Sequence, residues 1–170
     1  EEGHGPGVGD GKGDIHTDIE IGAGLSDSCS GCHGRPRGTA GFGGDVVTRP
    51  DSRDAPHLFG LGLKEMLADE ITADLRSIRD KAISNAKSGG NPVTLQLTSK
   101  GVIYGTITAN PNGSLETSHV EGADTDLRIR PFFAHGGTVS LHEAIIGNLH
   151  GEMGIHIYDP DLDKASSGGK

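Results

Sequence analysis

Tryptophan is absent from this chain, aromatic residues make up only 4% of it, and just two of its 170 residues are cysteine. Hydrophobic residues reach only 32%, a thin apolar supply for such a length. Each shortage excludes something. Two cysteines cannot build a four-thiolate zinc site, and with no third or fourth thiol no disulfide framework competes for them. Basic residues are outnumbered 15 to 24, and the resulting net charge of −9 excludes the basic face that nucleic acid demands. No run approaches the roughly 18 apolar residues of a membrane span. What the chain has in quantity is glycine, 29 residues, which predicts long irregular loops. The length is that of one domain large enough for a core.

The two cysteines are spent together, in Cys29-Ser30-Gly31-Cys32-His33. The spacing C-x-x-C-H reads as covalent attachment of a c-type haem. Two thiols three positions apart each form a thioether to a vinyl group of one porphyrin, and the following histidine is held beneath the ring as an iron ligand. A redox C-x-x-C or half a zinc site needs no immediate histidine. A bound porphyrin also adds the large flat apolar surface that the side chains do not supply. Haem is attached to such motifs outside the cytoplasm, and the chain starts at Glu1 without an initiator methionine or a signal-peptide pattern. The expectation is a mature periplasmic or extracellular protein whose signal peptide has been removed.

Residues 1–24 read as a Gly-rich, acidic N-terminal leader, residues 25–158 as a cytochrome c-like haem domain, and residues 159–170 as an acidic, Gly-rich tail. The fold class expected is mainly α, with long Gly-rich loops and a small inserted antiparallel β-hairpin or sheet. Arg35, Arg37, Arg49 and Arg53 follow the motif and read either as a solvated loop or as partners of the haem propionates. From Leu67 the apolar spacing is helical: Leu67, Ile71, Leu75, Ile78, Ala82, Ala86, with Ser88-Gly89-Gly90 as the stop. Met66, at the start of that helix, is a candidate sixth ligand of the iron, and it also reads as a core methionine on the edge of the stripe. His57 is a further candidate, although a histidine after a proline in an apolar run also reads as a hydrogen-bonded one.

Residues 93–119 change period. Val93, Leu95 and Leu97 alternate with polar residues, as do Val102, Tyr104, Thr106 and Thr108, and Asn110-Pro111-Asn112-Gly113 is a turn signal. A second helix is predicted from Thr138-Val139-Ser140-Leu141-His142-Glu143, with Ser140 and Glu143 at capping-box spacing, ending near Gly151. Met153 follows it between Gly151 and Gly154, where a thioether can swing toward a haem face or pack as an ordinary buried methionine. Asp159, Asp161 and Asp163 alternate in the tail and hint at a calcium loop, but Lys164 stands where such a loop wants glycine and no bidentate Glu follows.

Three patterns in this order resemble the bacterial di-haem cytochrome c peroxidase superfamily, and most closely its di-haem oxidoreductase branch. They are Ser28-Cys29-Ser30-Gly31-Cys32-His33, the stretch Arg53-x-Ala55-Pro56-x-Leu58-Phe59-Gly60-Leu61-Gly62-Leu63, and Leu127-x-x-Arg130-Pro131-Phe132-Phe133 through Leu141-His142-Glu143 to Glu152-Met153-Gly154. The resemblance spans about residues 24–156. It implies a mainly helical fold, cofactor contacts at Arg53 and Pro56, and His/Met ligation of an electron-transfer haem, which carries onto His33 and Met153. The family has two C-x-x-C-H motifs and this chain has one, so peroxidase activity does not carry over.

The expectation is therefore a mono-haem c-type cytochrome that passes electrons to a redox partner protein, with a second haem domain or subunit as a further possible partner. Two alternatives stand beside it. One is a haem domain of a peroxidase-type oxidoreductase, with Glu152 or His150 as acid–base groups. The other is a haem-binding sensor or filament subunit, assembled through the Gly-rich termini.

Overall fold

The longest apolar-periodic stretch of the chain becomes its longest element. In this computed structural model, which describes residues 29, 33, 56–133, 136–151, 155 and 157–167, helix α1 runs from Leu61 to Gly89. It starts six residues ahead of the expected Leu67, because Gly60, at φ 75°, ends the preceding turn and the LGLKE segment continues straight into helix. It stops as expected. The N–H of Gly90 bonds the Ala86 carbonyl at 2.9 Å, and Gly90 takes the left-handed conformation (φ 69°) that closes a helix. The buried line is Ala68, Thr72, Leu75, Ala82 and Ala86. Leu75, Ala82 and Ala86 confirm the expected stripe, but Leu67 is exposed, since the stripe enters through Ala68 instead.

The chain divides into two compact units, Gly62–Ser140 and Glu1–Leu61 with Leu141–Lys170. In the first, α1 shares a core with a three-stranded antiparallel sheet of order β1-β2-β3: β1 Val93–Ser99, β2 Val102–Ala109 and β3 Leu115–Glu116. Leu75, Leu97, Ile107 and Leu127 form its centre, packed by Ile71, Ile78, Tyr104, Val120, Ala123 and Ile129. A second cluster of Ala82, Ala86 and Ala109 lets the helix approach closely beside Ile83, Val93 and Leu95.

The β1–β2 turn is Lys100-Gly101, with φ 50° and 81°, the double positive φ of a type I′ hairpin. Lysine is an uncommon residue for that conformation, and the helix holds it there. Lys100 Nζ lies 3.1 Å from Glu70 Oε2 and 3.6 Å from Asp74 Oδ2, and the Ser99 hydroxyl donates to Asp74 Oδ2 at 2.6 Å. The Ser99 hydroxyl, and then Lys100, holds the Asp74 carboxyl below its ordinary value. The hydrogen bond to Glu70 and the charge of Asp74 raise Lys100.

The expected alternation on β2 is reversed over its second half. The register slips between Gln96 and Thr98, where Tyr104 and Gly105 form a bulge. Past it, Ile107 and Ala109 are buried while Thr106 and Thr108 turn to the other face. Gly105 (φ 77°) makes this possible, since the backbone of residues 119–121 closes on it: Thr106 N–H bonds His119 O and Glu121 N–H bonds Tyr104 O. A Cβ on Gly105 would lie 1.9 Å from the His119 carbonyl oxygen.

The loop after β3 is pinned to the helix. The buried Thr72 hydroxyl donates to Ala68 O and accepts the Ile129 N–H at 3.1 Å. Arg76 binds both the carbonyl and the carboxylate of Asp126. These bonds fix Leu127, which is fully buried at φ 67°. Burying a leucine gains about 1.5–3 kcal/mol, enough to offset the about 1–2 kcal/mol of a left-handed non-glycine residue.

In the other unit, Cys29 and His33 are helical, α2 spans Leu141–Gly151 and α3 spans Pro160–Ser167. Helix α2 begins directly after Ser140 and ends where expected. Helix α3 stands where the alternating aspartates of the tail hint at a calcium loop, and the sequence reading has no helix there. Asp159 is its N-cap, its Oδ1 accepting the N–H groups of Asp161 and Leu162 at 3.0 Å each, and Pro160 fills the first helical position. The leader 1–24, the arginine-rich segment 34–54 and the positions of Cys32, Arg53, Glu152 and Met153 lie outside the described residues.

Candidate functional site

Cys29 and His33, four positions apart in the chain, each lie in helical backbone. Cys29 is a free, exposed thiol. The His33 ring is half-buried, and its Nδ1 lies 2.6 Å from the carbonyl oxygen of Pro56. A carbonyl only accepts, so Nδ1 carries the proton and donates it. In the neutral ring Nε2 then presents its lone pair, the state a metal-binding imidazole requires. The bond also fixes the ring's rotation and makes Nε2 a stronger donor.

His57 has the opposite arrangement. Its Nδ1 accepts the backbone N–H of Phe59 at 3.2 Å, which in the neutral ring leaves the proton on Nε2. The ring stands tilted against Phe59 at 6.3 Å between centroids. Histidines 24 positions apart, one on each side of the same Pro56 carbonyl in the chain, are therefore prepared for different work: His33 to donate a lone pair, His57 to brace a turn.

Met66 does not belong to the core, as its place beside the stripe had suggested. It is 61% exposed, with Leu63 at 71% and Leu67 at 49% beside it on the first turns of α1. Leu58 and Phe59 are also exposed, so apolar side chains accumulate on the surface over residues 58–67. His150 lies exposed in the last turn of α2.

The Arg130-Pro131-Phe132-Phe133 motif has a structural role of its own. Arg130 Nε bonds Asp124 Oδ2 at 2.6 Å, Phe132 is buried under Lys64 with Nζ 5.7 Å from the ring centroid, and Gly137 N–H bonds Phe132 O at 2.8 Å. Phe133 (φ 61°) lies against Gly137, where a Cβ would meet its ring at 2.8 Å.

The aspartates weighed for calcium belong to the start of a helix. Asp159 uses Oδ1 for the cap and places Oδ2 2.6 Å from His142 Nε2. The Leu162 N–H first, then Asp161 and His142, lower its pKa. Asp161 and Asp163 fall within the backbone of α3. Sequence reasoning missed the His142–Asp159 pair, although Asp159-Pro160 is a helix-start signal. Among the described residues no three metal-ligating side chains come together. A porphyrin brings four nitrogen donors of its own and needs no such group.

No protein-family model, curated protein or solved structure matches this chain. The residues present do fit a covalent haem: an exposed thiol at Cys29 and, four positions on, the His33 imidazole, whose Nδ1 is already engaged by Pro56 O.

Proposed function

We propose that the chain is a mono-haem c-type cytochrome, exported from the cytoplasm, that carries electrons to a redox partner protein. The observation that carries this reading is the His33 Nδ1–Pro56 carbonyl bond within the C-x-x-C-H motif. A histidine of the motif serving a thiol redox pair or a loop would have no need of a backbone acceptor 23 residues away.

Cys29 and Cys32 would hold the haem as thioethers and His33 would bind its iron through Nε2. A haem so held supplies one-electron exchange between ferrous and ferric iron. The Pro56 carbonyl holds His33 in one tautomer and one ring orientation, which would keep Nε2 fixed as a ligand of that haem. Met153 is the proposed sixth ligand, resting on the resemblance of its segment and on the glycines at 151 and 154, with Met66 and His57 as the alternatives. Arg53 is proposed to lie near the propionates, within a domain of cytochrome c-like kind.

A reduction-potential titration of the exported protein tests this. Met153→Ala should lower the potential and open the ferrous iron to carbon monoxide, because thioether is a softer donor than imidazole and favours ferrous iron. Met66→Ala should change neither. The reverse pattern moves the ligand to Met66, and carbon monoxide binding by the unaltered protein would favour the peroxidase-type alternative.

A further inference from the structure

In the sheet of the Gly62–Ser140 unit β2 is paired on both sides, and among the described residues β1 leaves one long edge unpaired. Strand β1, Val93-Thr94-Leu95-Gln96-Leu97-Thr98-Ser99, is the outermost strand and pairs with β2 alone. The Ser99–Val102 pair closes a two-residue hairpin and so exchanges both backbone bonds. Alternation from that pair turns the N–H and C=O groups of Thr94, Gln96 and Thr98 away from β2. Among the described residues no other backbone bond reaches β1. All three of these residues are exposed.

Natural sheets blunt such an edge with a charge, a proline, a bulge or a very short strand. Seven residues of β1 contain no charge and no proline, and the bulge lies on β2. The chain as a whole carries −9, yet the strip itself is neutral, so it presents no like charge to the same strip of a second copy. The strip is also complementary to itself. A two-fold axis through Gln96 sets Thr94 opposite Thr98 of a second copy and Gln96 opposite its own equivalent, with every outward N–H facing a C=O. Threonine pairs of this kind already occur on the occupied edge, where the Thr94 and Thr108 hydroxyls lie 2.7 Å apart.

We propose that β1 pairs antiparallel with β1 of a second copy, giving a continuous six-stranded sheet with both α1 helices on one face. One strand pair buries less than the about 800 Å² per partner of a standard interface, so the dimer is weak and forms only at high protein concentration. It does not depend on the haem reading, because no residue of the motif takes part.

The test is sedimentation of the intact chain between about 10 μM and about 1 mM, a range suited to an interface below standard size, with amide exchange measured at both ends. The expected result is a reversible shift from monomer to dimer. Exchange at Thr94, Gln96 and Thr98 should slow at least about tenfold on concentration, the signature of newly bonded amides, while Leu95 and Leu97 stay protected throughout. Gln96→Pro should remain monomeric, since its missing N–H faces outward and spares the β1–β2 ladder. Gln96→Lys keeps that N–H, places like charges opposite one another and should also stay monomeric. A wild type monomeric at the upper concentration overturns the proposal and leaves the edge to another polypeptide. A dimer that survives both substitutions overturns it too, by placing the interface elsewhere.

Discussion

The two compact units differ in what their described residues bury. Gly62–Ser140 buries Leu75, Leu97, Ile107 and Leu127 between one helix and three strands, and polar bonds from Thr72, Arg76, Asp74 and Lys100 join its layers. In the other unit Ala144 is the single buried residue among those described, while Leu58, Phe59, Ile145, Ile157 and Tyr158 are exposed. The unit with the C-x-x-C-H motif is thus the one in which the described side chains make least of a core.

The largest expected effect breaks the units apart. Replacing Cys29 and Cys32 by alanine should abolish the protected amides of α2, while those of Leu97 and Ile107 persist in hydrogen exchange. Loss of protection in both units at once would show that the sheet unit does not stand on its own core. In the other direction, Gly105→Ala should destabilise the sheet unit by on the order of 3 kcal/mol in denaturant unfolding, because a Cβ there collides with backbone that cannot swing away. The optical spectrum expected from the unit with the C-x-x-C-H motif should be unchanged by it.

Titration gives a smaller effect. Asp74 is lowered by the Ser99 hydroxyl and Lys100, so its contribution is present above the ordinary carboxylate value and is lost as pH falls through its folded value. Lys100 is raised by Glu70 and Asp74, so its contribution is present below the ordinary lysine value and is lost as pH rises through its folded value. Thermal unfolding of the sheet unit should show both limbs, and Asp74→Asn should flatten the acid limb. In the other unit Asp159, lowered by the α3 N–H groups, adds an acid limb of the same sign, which Asp159→Asn should reduce. Smallest of all, Met66→Ala should change stability by less than about 0.5 kcal/mol, because the side chain is exposed.

Local signals were legible where one element sufficed to explain them. The stop of α1 at Ser88-Gly89-Gly90, the strands of residues 93–116 and the start of α2 after Ser140 could all be read from period and capping. The second half of β2 could not, because its facing depends on a bulge that Gly105 permits only with residues 119–121 packed against it. Met66 was misplaced for a related reason: the stripe on α1 drifts to Ala68 once the sheet decides which face is covered. The tail hid a helix behind three alternating aspartates, and the capping role of Asp159 became visible only beside Pro160. At the candidate site, spacing singled out Cys29, Cys32 and His33. The Pro56 carbonyl acts on His33 across 23 residues, a relation that no local pattern encodes.

Intact mass of the denatured protein, produced in a host that attaches haem to C-x-x-C-H motifs, tests the central claim most directly. The account predicts the polypeptide mass plus one haem, unchanged by acid–acetone extraction, and loss of that increment in the Cys29→Ala/Cys32→Ala variant. A chain at bare polypeptide mass, or one whose porphyrin is stripped by extraction, would contradict it.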